Sequence, residues 1–112
     1  MTKGLMAGRD LDALIAVEVM GWTIRAVQGV QLFQDAYHNP RFFAPDYSTT
    51  YEGAGLVIER MRELGWEGYD VDATDGVPLV RFWKDGVSPG ADAPTLPHAV
   101  CLAALAAVRS TK

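Results

Sequence analysis

The sequence Pro45-Asp46-Tyr47-Ser48-Thr49-Thr50-Tyr51-Glu52 opens the segment that decides the fold, a helix that ends at Gly65-Trp66. Thr49, followed three residues later by Glu52, matches a capping box, in which a hydroxyl and a carboxylate satisfy free amides of the first turn. Glycine suits the left-handed residue that follows a helix, and Gly65 stands at that place. We therefore predict a helix over residues 49–64.

Apolar residues recur through this segment at helical spacing. They are Ala54, Val57, Ile58, Met61 and Leu64. Charged residues fill the other side, so we expect a helix with one face on the core and one in solvent.

An earlier helix is predicted over residues 9–20. Its apolar stripe includes Leu11, Leu14 and Ile15. Asp10 stands where a cap is expected, and Asp12 adds negative charge at the positive end of the helix dipole. Both aspartates are interpreted as local capping charges.

A last helix is predicted over residues 96–109, with Thr95 as its cap. The run Ala99–Val108 has no polar side. A helix that is apolar all round is buried on more than one side. It either packs between another helix and the sheet, or meets a second subunit. We predict a homo-oligomer, formed through this helix or through an edge strand.

Residues 23–44 are predicted to be β-structure. Gly29 indicates a bulge or a turn. The sequence His38-Asn39-Pro40 is typical of a turn and would join strands at residues 30–36 and 41–44 in a hairpin.

A second hairpin is centred on Asp75-Gly76, a dipeptide typical of the type I′ turn. With this turn at the tip, apolar residues face apolar residues and an aspartate faces an arginine. The pairs are Thr74 with Val77, Val71 with Val80, Asp70 with Arg81, and Tyr69 with Phe82. We predict strands at residues 68–73 and 77–84 and a loop at residues 85–94. Tyr69, Val71, Val80 and Phe82 are expected to face a core.

The order of these elements predicts an α+β fold, a single-domain α/β/α sandwich over residues 1–112 with a mostly antiparallel sheet flanked by three helices. The single cysteine, Cys101, excludes an internal disulfide. The length suffices for a hydrophobic core without covalent staples.

Four stretches together resemble the phage ABA sandwich domain family. They are Leu11-Asp12-Ala13-Leu14 with Val19-Met20-Gly21-Trp22, Asp46-Tyr47-Ser48-Thr49, Val57-Ile58-Glu59-Arg60-Met61, and Leu96–Leu105. The resemblance implies a sheet between helical layers and a phage or prophage origin. It implies no activity and no catalytic residue, and it is weakest over residues 23–44.

The net charge of −4 and the scattered positions of the 10 lysines and arginines disfavour double-stranded nucleic acid as a partner. The longest apolar run, Ala99–Val108, is too short to cross a bilayer, and no signal peptide is recognised at Met1. With the phage resemblance, these features predict a protein in the cytoplasm of an infected host.

Two arrangements of candidate catalytic or metal-binding residues each have a simpler structural interpretation. His98 and Cys101 lie three residues apart on a helix, but zinc needs more ligands, so Cys101 is interpreted as a small core residue. Asp70 and Asp72 share a strand face and are interpreted as solvated. We predict no catalytic residue, no metal and no cofactor.

One polar corner favours binding. The start of the central helix offers free amides and hydroxyls to an anion, and aromatic rings with arginines suit a base and a phosphate. The candidate ligand-binding residues are Trp22, Arg25, Arg41, Phe43, Tyr47, Ser48 and Thr49. A structural role in packing and capping is favoured over binding for these residues, though less strongly than for the other candidate groups.

The leading hypothesis is a non-enzymatic phage accessory protein that binds a small ligand or a host protein. Its sharpest form is anti-defence by sequestering a nucleotide signal of the host, with loss of binding but little loss of stability when Arg41 and Tyr47 are changed to alanine. The alternative is a protein-interaction inhibitor or structural phage protein without a pocket. A small hydrolase ranks third.

Overall fold

The structure, a computed structural model, describes residues 5–35, 40–41 and 43–111. In this part of the chain, helix α1 is Arg9–Leu14 with a π-helical continuation at Ile15–Val19, α2 is Tyr51–Glu63 and α3 is Leu96–Ser110. The strands are β1 Thr23–Val27, β2 Val30–Gln34, β3 Pro40–Arg41, β4 Gly68–Thr74, β5 Val77–Trp83 and β6 Gly90–Asp92.

The predicted α+β class is confirmed, with three helices and antiparallel strand pairs. Over the described residues the strands form two three-stranded sheets, β1-β2-β3 and β4-β5-β6, where one sheet was expected. Each strand pairs with its neighbour in sequence, and α2 intervenes between the two groups. Because strands pair only with their neighbours in sequence and α2 interrupts the series, the described strands form two sheets rather than one.

The first sheet corrects the predicted boundaries of residues 23–44. Gln28 and Gly29 have positive φ angles of 51° and 79° and form a turn between β1 and β2. The antiparallel return of β2 onto β3 is confirmed, but β3 contains only Pro40–Arg41, not residues 41–44. His38 and Asn39 of the predicted turn lie outside the described residues.

The hairpin around Asp75-Gly76 has the predicted register at every predicted pair. Val80 and Phe82 are buried, as expected, but Tyr69 and Val71 are 44% and 49% exposed. The expectation that these two face a core is wrong. They lie on β4 at the edge of the sheet, whereas α3 packs against the central strand β5 and against β6.

The predicted loop at residues 85–94 contains strand β6, which pairs with β5. Asp85 and Gly86 have positive φ angles of 51° and 83° and form a tight turn. The amide of Phe82 donates to the carbonyl of Pro89 and extends the pairing. The glycines and prolines of this stretch therefore belong to a tight turn and a short strand rather than to an open loop.

Helix α3 packs between the β4-β5-β6 sheet on one side and α2 with the π-helical continuation of α1 on the other. Its Thr95 cap is confirmed, since the Thr95 hydroxyl accepts from the His98 amide. Every residue from Pro97 to Leu105 is buried within one chain. Helix α3 therefore packs as the first of the two alternatives predicts, with its apolar surface covered within one chain. The homo-oligomer stays a prediction. No helix in the described residues has the length and apolar character needed to cross a membrane.

Helix α1 begins differently from the prediction. Its cap is Gly8, with no side-chain hydrogen bond, so Asp10 is not the cap. The Met20 amide donates to the carbonyl of Ile15, five residues back, in the wide π-helical turn. Gly21, with a positive φ of 80°, follows the end of the helix.

The cap of helix α2 lies one residue beyond the predicted cap, and the helix begins at Tyr51. The hydroxyl of Thr50, rather than Thr49, accepts from the Gly53 amide at 2.9 Å, so the Thr49–Glu52 capping box is wrong. Residues 47–49 form a turn instead. At the other end, Gly65 has the expected positive φ of 96°, and Trp66 donates to the carbonyl of Met61 in a Schellman motif.

Candidate functional site

The turn before α2 is tied to α1 by a buried hydrogen-bond network. Ser48 donates to Asp12 Oδ1 twice, from its amide at 2.8 Å and from its hydroxyl at 2.7 Å. The Ser48 hydroxyl also accepts from the Gly8 amide at 2.8 Å. These bonds hold the entry to α2 against the start of α1.

Asp12 is therefore not the local capping charge that was predicted. It is 4% exposed and belongs to the buried face of α1. Burial raises the pKa of its carboxyl and the nearby Asp46 adds to the rise, while the hydrogen bonds from Ser48 oppose it. Both hydrogen bonds from Ser48 are accepted by Asp12 Oδ1. The second carboxylate oxygen, Oδ2, can therefore accept from a donor outside this network.

Asp12 also lines an open cleft of about 480 Å³ between α1, β2 and the segment that leads into α2. The walls combine aromatic and aliphatic surface with charges of both signs. The lining residues are Arg9, Asp12, Ala13, Phe33, Phe43, Ala44, Pro45 and Asp46. Ligand sites of proteins have this size and this mixture of apolar walls with a few polar groups.

At this cleft, the guanidinium of Arg9 lies 4.6 Å from the centre of the Phe43 ring. Phe43 is 65% exposed, so its ring has room for a second planar partner. Phe33 is half-buried and makes an edge-on contact with Trp22, with ring centres 6.1 Å apart. The cleft thus offers aromatic surface beside one cation and two carboxylates.

The structure brings three of the seven predicted site residues to this region. Phe43 lines the cleft, and Trp22 lies behind it against Phe33. Arg41 pairs with Phe33 across β2 and β3, and its Nε donates to Asp35 Oδ2 at 3.1 Å. Its guanidinium is thus engaged beside the cleft rather than inside it.

The other four predicted residues do not line the cleft. Tyr47 and Ser48 are buried, and the Ser48 hydroxyl donates to Asp12. Thr49 and Arg25 are exposed, and Arg25 pairs with Leu32 in the first sheet. Because Tyr47 is 1% exposed, changing it to alanine would remove a core side chain, so the predicted double variant does not test binding alone.

Sequence reasoning missed Arg9, Asp12 and Asp46 as members of the cleft. One available indication was the place of Asp12, which precedes Ile15 and Ala16 by three and four residues and so shares their buried face. A carboxylate in an apolar stripe indicates a specific partner. The stacking of Arg9 on Phe43 joins residues far apart in sequence and had no local indication.

Other candidate chemistry has structural explanations. His98 Nε2 lies 2.7 Å from the Leu5 carbonyl oxygen, and Cys101 is a buried core residue as interpreted. Asp70 pairs with Arg81 at 3.1 Å on an exposed face, also as interpreted. No group of three or more metal-ligating side chains occurs among the residues that the structure describes.

Comparisons with known proteins place the chain. The family model of the phage ABA sandwich domain matches residues 13–105. The chain therefore belongs to this family, and the resemblance drawn from its sequence is confirmed. A solved phage protein from Bacillus cereus is similar over 93% of this chain and 94% of its own, with 27% identity and a TM-score of 0.72. No curated protein sequence matches the chain.

Proposed function

We propose that this phage ABA sandwich protein is a non-enzymatic binding protein and that its cleft takes a nucleotide. In the phage setting this fits an accessory protein that sequesters a nucleotide signal of the host. The observation that supports it best is the exposed Phe43 ring with the Arg9 guanidinium 4.6 Å from its centre, at a cleft of about 480 Å³.

Stacking is the first element of recognition. An exposed aromatic ring accepts a nucleobase, and such stacking is worth roughly 1–3 kcal/mol per base. The Arg9 side chain lies over Phe43 and can hydrogen-bond to a phosphate at the mouth of the cleft, since guanidinium groups suit phosphate oxygens.

The two carboxylates of the cleft determine how a bound nucleotide would be oriented. Asp12 and Asp46 line the same cleft, and negative charge there opposes a phosphate in its depth. Carboxylates accept instead from the amino group of a base, as they do from cytosine in nucleic-acid recognition. We therefore expect the base to lie inward and the phosphate outward toward Arg9, with bases that carry an amino group preferred.

A catalytic role has less support from the geometry. The Ser48 hydroxyl lies 2.7 Å from the Asp12 carboxylate, but Ser48 is fully buried and cannot meet a substrate. Cys101 is also buried, and burial raises the pKa of its thiol well above the usual range, which suppresses the reactive thiolate.

Calorimetric titration with AMP, GMP, CMP, UMP and cyclic dinucleotides tests the proposal. Binding is expected for nucleotides with an amino-bearing base, and at least tenfold weaker binding for UMP. Phe43→Ala and Arg9→Ala should each lower the affinity about tenfold. Tyr51→Ala is the matched control, because Tyr51 is a 70% exposed aromatic residue that does not line the cleft. Flat titrations with the whole panel would refute a nucleotide ligand.

Protein binding is the second candidate function. It is favoured by a separate observation, the edge of β4, which pairs on one side only among the described residues and carries the exposed Tyr69 and Val71. An inhibitor of a host protein or a structural phage protein would use such an edge and need no nucleotide.

A further inference from the structure

We propose that the free edge of β4 binds an extended segment of another protein in which basic and apolar side chains alternate. Within the described residues, β4 pairs with β5 on one side and ends the sheet on the other. An open edge is a template for strand addition, in which main-chain hydrogen bonds supply affinity and side chains supply specificity. This surface is distinct from the cleft of Arg9 and Phe43.

The hydrogen-bonding register of the edge follows from one contact. The Ala73 amide donates to Asp72 Oδ1 at 2.8 Å, so it points away from β5. Because the amide and carbonyl of one residue point to the same side of an antiparallel strand, Tyr69 and Val71 also direct theirs outward. Asp72 occupies the amide of Ala73, so the available positions are those of Tyr69 and Val71.

The charges of the edge select the partner. The segment from Glu67 to Asp75 carries four carboxylates, at positions 67, 70, 72 and 75, and no lysine or arginine. Asp70 and Asp72 lie on one face of β4, and both are exposed. Asp70 already accepts from Arg81 Nε at 3.1 Å, so Asp72 is the main attraction for a basic side chain on this face. Residues opposite them in an added strand point to the same face, where lysine or arginine is favoured.

The opposite face of the edge is apolar. Tyr69 and Val71 are about half exposed there. Beside Tyr69, a groove of about 180 Å³ is lined by side chains of α2 and β5 that include Ile58, Met61 and Phe82. An added antiparallel strand would place one apolar side chain over this groove and another over Val71. The expected sequence is basic, apolar, basic, apolar, with the last residue at the groove.

A second copy of the chain fits this edge poorly. In a symmetric antiparallel pair centred on Val71, Asp70 of one copy faces Asp72 of the other. Centring the pair on Asp70 or on Asp72 places that residue opposite itself. Centring it on Tyr69 avoids these contacts but places the apolar Val71 opposite the carboxylate of Glu67. Like charges directly opposite one another destabilise a strand pair, so a partner with basic residues is favoured over self-association.

The probe is a fluorescein-labelled peptide, Gly-Ser-Lys-Val-Lys-Leu-Ser-Gly, titrated with the full-length protein in low salt and followed by fluorescence anisotropy. Saturable binding is expected. A peptide with glutamate in place of both lysines should bind at least tenfold more weakly, because its charges no longer complement the aspartates. A scrambled peptide of the same composition should also bind at least tenfold more weakly, because basic and apolar residues no longer alternate.

Val71→Pro tests strand addition directly. Proline removes an amide that β4 does not share with β5, and an edge strand tolerates it where the amide faces solvent. It should abolish binding with little change in the circular dichroism spectrum or Tm, whereas Val71→Thr keeps the amide and should bind as the wild type does. Asp72→Lys should weaken binding of the lysine peptide and improve binding of the glutamate peptide.

Three outcomes would overturn the proposal. They are no anisotropy change at millimolar protein, equal binding of the lysine and scrambled peptides, and unchanged binding by a folded Val71→Pro variant. Sedimentation of the wild type is run in parallel. A dimer that dissociates in Val71→Pro would assign the edge to a second copy instead. None of these results depends on nucleotide titrations, so strand addition at β4 and nucleotide binding in the cleft are tested independently.

Discussion

Ser48 and Asp12 lie 36 residues apart in the chain, yet the Ser48 hydroxyl donates to Asp12 Oδ1 at 2.7 Å. The Ser48 amide donates to the same oxygen. This pair fixes the turn before α2 against α1 and holds Asp12, which lines the cleft, in place. The residue that caps α2 just after this turn is Thr50, whose hydroxyl accepts from the Gly53 amide.

Removing the carboxylate charge of Asp12 should not destabilise the protein at neutral pH. Its pKa is raised in the fold by burial, so the ionised form costs stability above that pKa, and the cost disappears as pH falls through it. Asp12→Asn keeps an acceptor for Ser48, and its free energy of unfolding should equal or exceed that of the wild type at pH 7. The difference should shrink in acid.

Asp12→Ala is the matched variant. It leaves the Ser48 amide and hydroxyl without their buried acceptor, which should cost about 1–3 kcal/mol. Urea unfolding at several pH values measures both changes. A wild-type free energy of unfolding in the alanine variant would contradict the role given to this network.

Glycine at position 53 is required by close approach of two segments. A methyl group there would overlap the carbonyl oxygen of Asp46, whose own segment lines the cleft. Gly53→Ala should therefore destabilise the protein by about 1–3 kcal/mol, as overpacking does. Gly55→Ala is the control on the same helix, with nothing within 4 Å of the added methyl, and should stabilise by about 0.5–1 kcal/mol. Equal effects in thermal unfolding would be inconsistent with the packing described.

Tyr47 should make stability fall in alkali. Burial, aided by Asp12, raises the pKa of Tyr47 from 10.0 to about 12. The folded state thus holds this proton more tightly than the unfolded state. Its contribution is complete below pH 10 and is lost as pH rises toward 12. Tyr47→Phe should lose less stability than the wild type over this range in urea titrations, and parallel curves would argue against the shift.

The Cys101 thiol should be unreactive in the folded protein. It is fully buried in α3, and burial raises its pKa. Labelling with Ellman's reagent should therefore be slow in native buffer and immediate in denaturant, since the thiolate is the reactive form. Fast labelling of the native protein at neutral pH would show that α3 is not the central layer.

Much of the fold was predictable because it depends on local chemistry. The Asp75-Gly76 turn determined the register of β4 and β5, and Gly65 determined the end of α2. The apolar run of α3 predicted burial on several sides. The cleft was not predictable to the same degree. Of the seven candidate residues, Phe43 lines it, while Arg9, Asp12 and Asp46 were missed.

By itself, then, the sequence determined most of the element types, the second hairpin and the family, since turn residues and apolar spacing act over a few positions. Tertiary structure decided which face of each strand was covered, which threonine capped α2 and which polar side chains came into contact. Tyr69 and Val71 share the face of Val80 and Phe82, yet they are half exposed, because α3 packs on β5 and β6. Asp12 became a buried acceptor only because the turn at Ser48 folds back onto α1.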